Sequence, residues 1–226
     1  MTAPPALAGL GSGAVETIAI EGVAIPAGPL LRIQGYRTAE RVRPAVRRVA
    51  EAQAARAQAL MTPVVVYRRV AIAACDAAGL SLAGGIRFSA GDFATAFAGA
   101  GEAVALVLTL GAALDDEGAR LTAAGDMLGA LFLDSAGWYA IEQATRAFAA
   151  ALAGRAAEEG LALTRRLAPG YGDWGLAEQR AFFTLFDGAA LPVTLTEGCA
   201  MLPTKSRSGL YGLRSVTARS GAQRPG

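Results

Sequence analysis

Residues 195–209 read LTEGCAMLPTKSRSG, and this stretch decides how the fold of the C-terminal third is interpreted. It begins inside an alternating segment, residues 191–196, that predicts a strand, and it places a carboxylate at Glu197 directly after it. Hydroxyl and ammonium donors then crowd into residues 204–208. Such a run of donors suits an anionic or polar ligand, and a surface turn rich in serine and lysine is an equal alternative.

A second polar, glycine-containing segment lies upstream, where residues 166–174 read RLAPGYGDW. The Pro-Gly pair at 169–170 predicts a turn whose main-chain groups can face a ligand. Arg166 supplies a planar fork that matches a carboxylate, and Tyr171 and Trp174 add flat amphipathic faces. A helix–helix loop plugged by aromatic side chains is the alternative interpretation.

The composition indicates one folded domain. The chain has 226 residues, of which 53% are hydrophobic and 18% charged, so it can bury a sizeable core. No Pro/Ser-rich linker or abrupt change of composition divides the interior. We predict a single domain over residues 15–216, between a flexible N-terminus at 1–14 and a flexible tail at 217–226.

Charge and histidine content exclude several classes of function. The formal net charge of +2 gives no general attraction to nucleic acid or to a membrane surface. The chain has no histidine, which argues against a zinc hydrolase, a Ser-His-Asp enzyme and a metal site. The longest apolar run, residues 103–114, is too short for a membrane span of about 20 residues.

The cysteines and the N-terminal residues favour a cytoplasmic protein. Cys75 and Cys199 are the only cysteines, and their wide separation favours reduced thiols, buried as small hydrophobic side chains, over a disulfide. Residues 1–13 lack a basic segment followed by an apolar one, so no secretion signal is indicated.

Periodicity predicts a mixture of helices and mostly antiparallel strands, which is an α+β fold. Pro26 and Pro29 should end the first strand in a turn. Thr38 is placed to cap the first helix. Gly137 lies where it could divide the longest helix. The predicted strands span residues 15–25, 64–73, 80–88, 103–110 and 191–196, and the predicted helices span 38–60, 93–100, 115–124, 127–159 and 176–186. The apolar run 103–110 has no period, so the start of a helix is the alternative there.

Charged residues on two predicted helices need an explanation. The arginines between residues 41 and 48 could form a nucleic-acid surface, but no aromatic side chains are interleaved and Glu40 and Glu51 dilute the charge, which favours a solvated helix face. Asp134 and Glu142 interrupt an otherwise apolar helix. An acid on a buried face must be paired, so these two could be functional.

Together the two polar segments resemble the activation domain of cobalamin-dependent methionine synthase. That family carries an Arg-x-x-x-Gly-Tyr turn, followed some tens of residues later by Leu-Thr-Glu-Ser-x-x-Met-x-Pro-x-x-Ser-Val-Ser-Gly. Residues 166–171 and 195–209 match these motifs in order and spacing. The resemblance is best over residues 133–213, and it implies a mostly antiparallel, twisted sheet flanked by helices.

The resemblance also implies a binding site for S-adenosylmethionine (AdoMet). Arg166 would face the methionine carboxylate, the backbone of the turn would hold the ligand, and Tyr171, the candidate catalytic residue, would lie toward the cobalt face of a corrinoid. The residues that the resemblance assigns to ligand binding are Arg166, Ala168, Gly170, Tyr171, Tyr211 and Glu142.

The function implied is that of an accessory component of a cobalamin-dependent methyltransferase system. The module would help to reactivate a corrinoid protein, such as the core of methionine synthase, with a flavodoxin-type protein as the reductant. The chain has no Asp-x-His-x-x-Gly motif, so cobalamin would be carried by the partner and the chain would act in trans. Alternatives are a non-catalytic AdoMet-binding adaptor or sensor, and a reactivator of a different corrinoid methyltransferase.

Three positions depart from the family pattern. Gly172 stands where methionine synthases often have proline, Gly198 replaces the serine after the glutamate, and Arg207 replaces a small apolar residue. Residues 170–174 instead resemble free-standing versions of the domain.

Overall fold

The computed structural model describes residues 13–38 and 42–216. Most of the predicted flexible N-terminus, the predicted tail at 217–226 and residues 39–41 of the first predicted helix lie outside these ranges. The strands are β1 Val15–Ala19, β2 Val64–Asp76, β3 Gly79–Leu82, β4 Arg87–Phe88, β5 Ala100–Thr109, β6 Leu161–Leu163, β7 Thr194–Leu195, β8 Met201–Leu202 and β9 Ser206–Ser215.

A seven-stranded antiparallel sheet organises the protein. Its strand order is β4-β3-β2-β5-β9-β6, with β1 also paired to β2, and β7 and β8 form a separate small hairpin. The α+β class and the antiparallel sheet predicted from sequence are therefore confirmed. The helices are α1 Ala27–Ile33, α2 Pro44–Leu60, α3 Asp92–Ala96, α4 Ala113–Ala123, α5 Met127–Glu158 and α6 Gln179–Phe183, the last flanked by 3₁₀ turns at Leu176–Glu178 and Thr184–Phe186.

Each face of the sheet has its own hydrophobic core. Successive residues of a strand point to opposite faces, so Val104 and Leu106 of β5 meet the helices α1, α2, α4 and α5. Ala105 and Val107 of the same strand face a second cluster that is rich in aromatic side chains. This two-sided burial explains why residues 103–108 form a continuous apolar run with no alternation.

The first half of the chain differs from the sequence prediction in three places. The first strand ends at Ala19, and the predicted turn after Pro26 is the helix α1. Pro29 lies in the first turn of α1. Backbone N–H groups in that turn have no acceptor within the helix, so a proline there breaks no hydrogen bond. Thr38 does not cap α2, which begins at Pro44 after Arg43.

The second half differs in its strands and in the longest helix. Helix α5 is uninterrupted from Met127 to Glu158, so Gly137 does not divide it. Of the predicted strand 191–196, only Thr194–Leu195 (β7) is a strand, because Pro192 cannot donate a hydrogen bond to a neighbouring strand. Strand β9 is not predicted from the sequence, and it pairs along its length with β5 and near its end with β6.

No helix within residues 13–38 and 42–216 combines the length and the apolar character that a bilayer crossing requires.

An ion-pair cluster joins α2 to α4 and gives the fold a testable dependence on pH. Arg120 and Arg56 donate hydrogen bonds to the Glu117 carboxylate over 2.7 and 3.2 Å and lower its pKa to about 2. Because this is below the value of about 4.3 in an unfolded chain, the cluster stabilises the fold at neutral pH and loses that effect as the pH falls toward 2.

We therefore expect Glu117→Gln to lower the melting temperature at pH 7. The difference from the wild type should close between about pH 5 and pH 2, because the wild-type carboxylate becomes protonated there. Thermal unfolding followed by circular dichroism at several pH values measures it. A difference that stays constant down to pH 3 would show that the ion pairs are not its cause.

Candidate functional site

A cleft opens where the 166–174 turn, helix α5, the hairpin of β7 and β8 and the start of β9 meet. Its volume is about 320 Å³, at the lower end of the range for small-molecule sites, which is about 300–1,000 Å³. The two segments singled out from sequence therefore form one site. The cleft is lined by Trp138, Arg166, Ala168, Pro169, Gly170, Tyr171, Leu176, Gln179, Cys199, Ala200, Met201, Ser206, Arg207 and Ser208.

Strand β9 holds the turn in place. After β6 the chain continues beside β9, where the N–H of Thr164 donates to the Gly212 carbonyl over 2.9 Å. Leu167 and Leu210 then exchange two backbone hydrogen bonds of 3.0 and 2.8 Å. The turn is thus an extension of the sheet edge, which fixes its position relative to the start of β9.

Within the turn, the backbone closes on itself. The N–H of Gly170 donates to the Trp174 carbonyl over 2.8 Å, and the N–H of Tyr171 donates to Ala168 over 3.2 Å. Gly170 has a φ of +86°, which a residue with a side chain rarely adopts. These two N–H groups are already bonded. Gly170 and Tyr171 can therefore contact a ligand only through their carbonyl oxygens and through the Tyr171 phenol.

Trp174 anchors the turn and leaves Tyr171 exposed. The Trp174 indole is 2% exposed, with ring centroids 4.9 Å from both Phe88 and Phe93, and its Nε1 donates to Glu178 over 2.9 Å. Three residues earlier, the side chain of Tyr171 is 67% exposed. The fixed indole therefore presents the phenol outward at the edge of the cleft.

Arg166 places a partly buried positive charge beside the cleft. Its guanidinium donates to the Ser208 carbonyl, and among residues 13–38 and 42–216 no carboxylate lies within ion-pair distance of it. Burial lowers the pKa of Arg166, and the neighbouring charge of Arg207 acts in the same direction. A partly buried cation with no ion-pair partner is unfavourable, and Glu142, which acts on Arg166 at longer range, already pairs with Arg207 and Arg146. This position therefore favours an anionic group from a ligand.

Glu142 acts on the cleft through Arg207. Arg207 Nη1 donates to the carboxylate over 2.5 Å and Arg146 Nε over 2.9 Å. Burial opposes ionisation of Glu142, but these two hydrogen bonds outweigh it and hold its pKa below the usual value. Arg207 lines the cleft and Glu142 does not, so Glu142 neutralises and orients a wall residue. Asp134, which lies two turns earlier on the same helix, pairs with Lys205 over 2.6 Å.

Tyr211 lies on the face of β9 that packs on α5, near the positive charges of Arg166 and Arg207. Its side chain is buried in the core cluster that faces α5, together with Leu213, and burial raises the pKa of its phenol. It is absent from the cleft lining. Of the site residues predicted from sequence, the structure thus brings Arg166, Ala168, Gly170 and Tyr171 together in the cleft and leaves Tyr211 and Glu142 behind its walls.

Gln179 and Trp138 line the cleft but were missed in the sequence. Gln179 is 2% exposed, and it joins two walls because its Nε2 donates to the Cys199 carbonyl over 3.0 Å and its Oε1 accepts from Ser208 over 3.1 Å. Trp138 is 49% exposed on α5. A tryptophan within an alanine-rich helix was the one available signal, since Gln179 has no local motif.

Two further observations bear on where a ligand could bind. A larger hollow of about 630 Å³ lies between α4 and the start of α5. Asp134, Thr204 and Lys205 line it, but none of the six residues that the resemblance assigns to ligand binding does. In the part of the chain that the structure describes, no three Cys, Asp or Glu side chains group together as a metal site would require.

Comparisons with known proteins place the fold. No protein-family model and no curated protein matches the chain. Among solved structures, a crystal structure of the MetH reactivation domain bound to AdoHcy superimposes with a TM-score of 0.57 and 15% sequence identity. The match covers 97% of this chain and 83% of that one. The chain therefore has a fold similar to that of the MetH reactivation domain.

Proposed function

We propose that this protein binds AdoMet in the cleft and presents its methyl group to a corrinoid carried by a separate protein. The observation that carries the proposal is the Arg166 guanidinium, which faces a cleft and has a carbonyl but no carboxylate as its partner among the described residues. The fold adds support, since the solved structure with a similar fold is a MetH reactivation domain bound to AdoHcy, the demethylated product of AdoMet.

The residues of the cleft fit the chemical groups of AdoMet. A guanidinium binds a carboxylate through paired, charge-assisted hydrogen bonds, so Arg166 would hold the methionine end. The carbonyl oxygens of the turn can accept hydrogen bonds from the ammonium group. The apolar and aromatic side chains along the cleft, Trp138, Leu176 and Met201, suit the nucleoside.

The chemistry requires alignment more than acid or base catalysis. AdoMet would supply a methyl group on a sulfonium, a reduced corrinoid on the partner would supply the nucleophile, and a neutral thioether would remain in the cleft. No proton moves, so a chain without histidine is not at a disadvantage. The contribution of this protein is to fix the ligand at Arg166 and to place the exposed Tyr171 ring where the corrinoid of the partner would approach.

The partner in this proposal is a corrinoid protein such as the core of cobalamin-dependent methionine synthase, reduced by a flavodoxin-type protein. Tyr171 supports an encounter in trans, because a side chain that is 67% exposed beside a cleft is available to a second macromolecule.

The first test is the binding of AdoMet and AdoHcy, measured by calorimetric titration. We expect Arg166→Ala to weaken binding by roughly ten- to a hundred-fold, because it removes a charge-assisted pair. Arg165→Ala is the matched control, since the neighbouring Arg165 pairs with Asp92 and does not line the cleft. Equal losses in the two variants, or no binding by the wild type, would refute the proposed site.

The second test separates reactivation from a passive role. Stoichiometric protein, AdoMet and a reductant are added to an inactive corrinoid protein, and methyl-corrinoid formation is followed by absorbance. Faster methylation than without the chain supports the proposal. Tight AdoMet binding with no acceleration on any corrinoid protein would indicate an adaptor or sensor, and acceleration limited to another corrinoid protein would indicate a different methyltransferase partner.

A further inference from the structure

The indole of Trp138 is a large aromatic surface exposed on the wall of the cleft. Trp138 extends from α5, lines the cleft and is 49% exposed, whereas Trp174, the other tryptophan, is 2% exposed. Half of the indole is in contact with water, and covering this apolar surface would lower the free energy. A ligand in the cleft could provide that cover.

Lys205 holds this indole from one side. The Lys205 ammonium lies 5.3 Å from the centroid of the Trp138 ring, within range of a cation–π interaction. The same ammonium bonds to Asp134, one helical turn before Trp138, over 2.6 Å. A cation tied to both residues restricts the indole to one orientation.

Gly137 makes this arrangement possible. A Cβ atom at Gly137 would lie 2.7 Å from Lys205 Cε and 3.0 Å from Cδ, closer than real Cβ contacts. The lysine stem therefore crosses the helix at a position that lacks a side chain, and it is almost fully buried there. This burial removes the mobility that a lysine normally has and turns it into a fixed support for the ring.

We infer that Trp138 is the residue that stacks against the purine base of the ligand, and that Lys205 is its positioning residue. This inference rests on the proposed function. A ligand whose carboxylate is held at Arg166 must extend along the cleft, and Trp138 is a flat wall of that cleft whose orientation is fixed. Tyr171 is the other flat side chain, but it is more exposed and belongs to the side that would meet the corrinoid.

The inference predicts different losses for different parts of the ligand. We expect Trp138→Ala to weaken the binding of AdoHcy and of 5′-methylthioadenosine about tenfold or more, because base–aromatic stacking is lost. Trp138→Phe, which keeps a flat ring, should retain most of the affinity. Methionine, which has no base, should bind both variants and the wild type alike. Calorimetric titration measures all three ligands.

The outcomes separate this inference from the proposed function. A wild type that fails to bind AdoHcy refutes both. A wild type that binds AdoHcy with an Arg166-dependent affinity, while Trp138→Ala binds it equally well, refutes only the stacking role. Loss of methionine binding in Trp138→Ala would also refute it, since the defect would then be a general distortion of the cleft.

The positioning role of Lys205 has a spectroscopic test. The emission difference between the wild type and Trp138→Phe isolates the signal of Trp138, and AdoHcy should quench it on binding. Lys205→Met should change the emission of Trp138 and weaken AdoHcy several-fold, while Lys205→Arg, which keeps the cation, should restore both. If Lys205→Met leaves the emission and the affinity unchanged, Lys205 does not position the indole.

Discussion

Replacing Trp174 with alanine should destabilise the protein by roughly 3–5 kcal/mol, as removal of a buried aromatic side chain typically does. The indole packs against Phe88, Phe93 and Phe182 in the core on one face of the sheet, so its removal leaves a cavity among rings. It also leaves Glu178 without the indole donor. Urea-induced unfolding followed by circular dichroism measures the change.

The other tryptophan provides the control for this prediction. Trp138→Ala removes the same atoms, but from a side chain that is half exposed. The Trp138→Ala protein should therefore lose much less stability than the Trp174→Ala protein. The buried indole fixes the residue whose backbone N–H and carbonyl close the turn on Tyr171 and Gly170. Without that anchor, the Trp174 variant should lose AdoHcy affinity even where it remains folded. Equal stability losses in both variants would show that the aromatic core does not anchor the turn.

The strands of the sheet could be predicted from sequence where the pattern of their side chains indicates a strand. Residues 103–108 are apolar without a break, and β5 is indeed a central strand that is covered on both faces. The same rules missed β9, which contains Gly209, Gly212 and several polar residues that are typical of a loop. It is a strand because β5 and the 164–167 segment provide backbone partners on both sides, which no local pattern encodes.

The turn at the site could be predicted because its chemistry is local. Pro169 and Gly170 predict the turn, and the arginine before them indicates an anion. Trp138 comes from a helix distant in sequence and Gln179 from the helix that follows the turn, and only packing brings both side chains to the cleft. The resemblance assigns Tyr211 to ligand binding, but the alternation of β9 places it in the core that packs on α5, on the face opposite Leu210, and it does not line the cleft.

Replacing Gly209 with alanine should lower both the stability of the fold and the affinity for AdoHcy. Gly209 has a φ of +151°, and a Cβ atom there would collide with the Leu167 carbonyl oxygen and lie 2.9 Å from Arg166 Nη1. The strained backbone and the overpacking should together cost roughly 2–5 kcal/mol. The collision would also push the guanidinium away from Ser208, so AdoHcy binding should weaken at least tenfold, as in Arg166→Ala.

Gly101 in the adjacent strand β5 is the matched control for Gly209. A Cβ atom at Gly101 meets nothing within 4 Å, so Gly101→Ala should be neutral or slightly stabilising and should leave AdoHcy binding unchanged. Thermal unfolding and calorimetric titration of the two variants give the comparison. Gly209 is the residue of β9 that lets the Arg166 turn approach the sheet closely enough to form the cleft. A Gly209→Ala protein with wild-type stability and AdoHcy affinity would show that this close approach is not required.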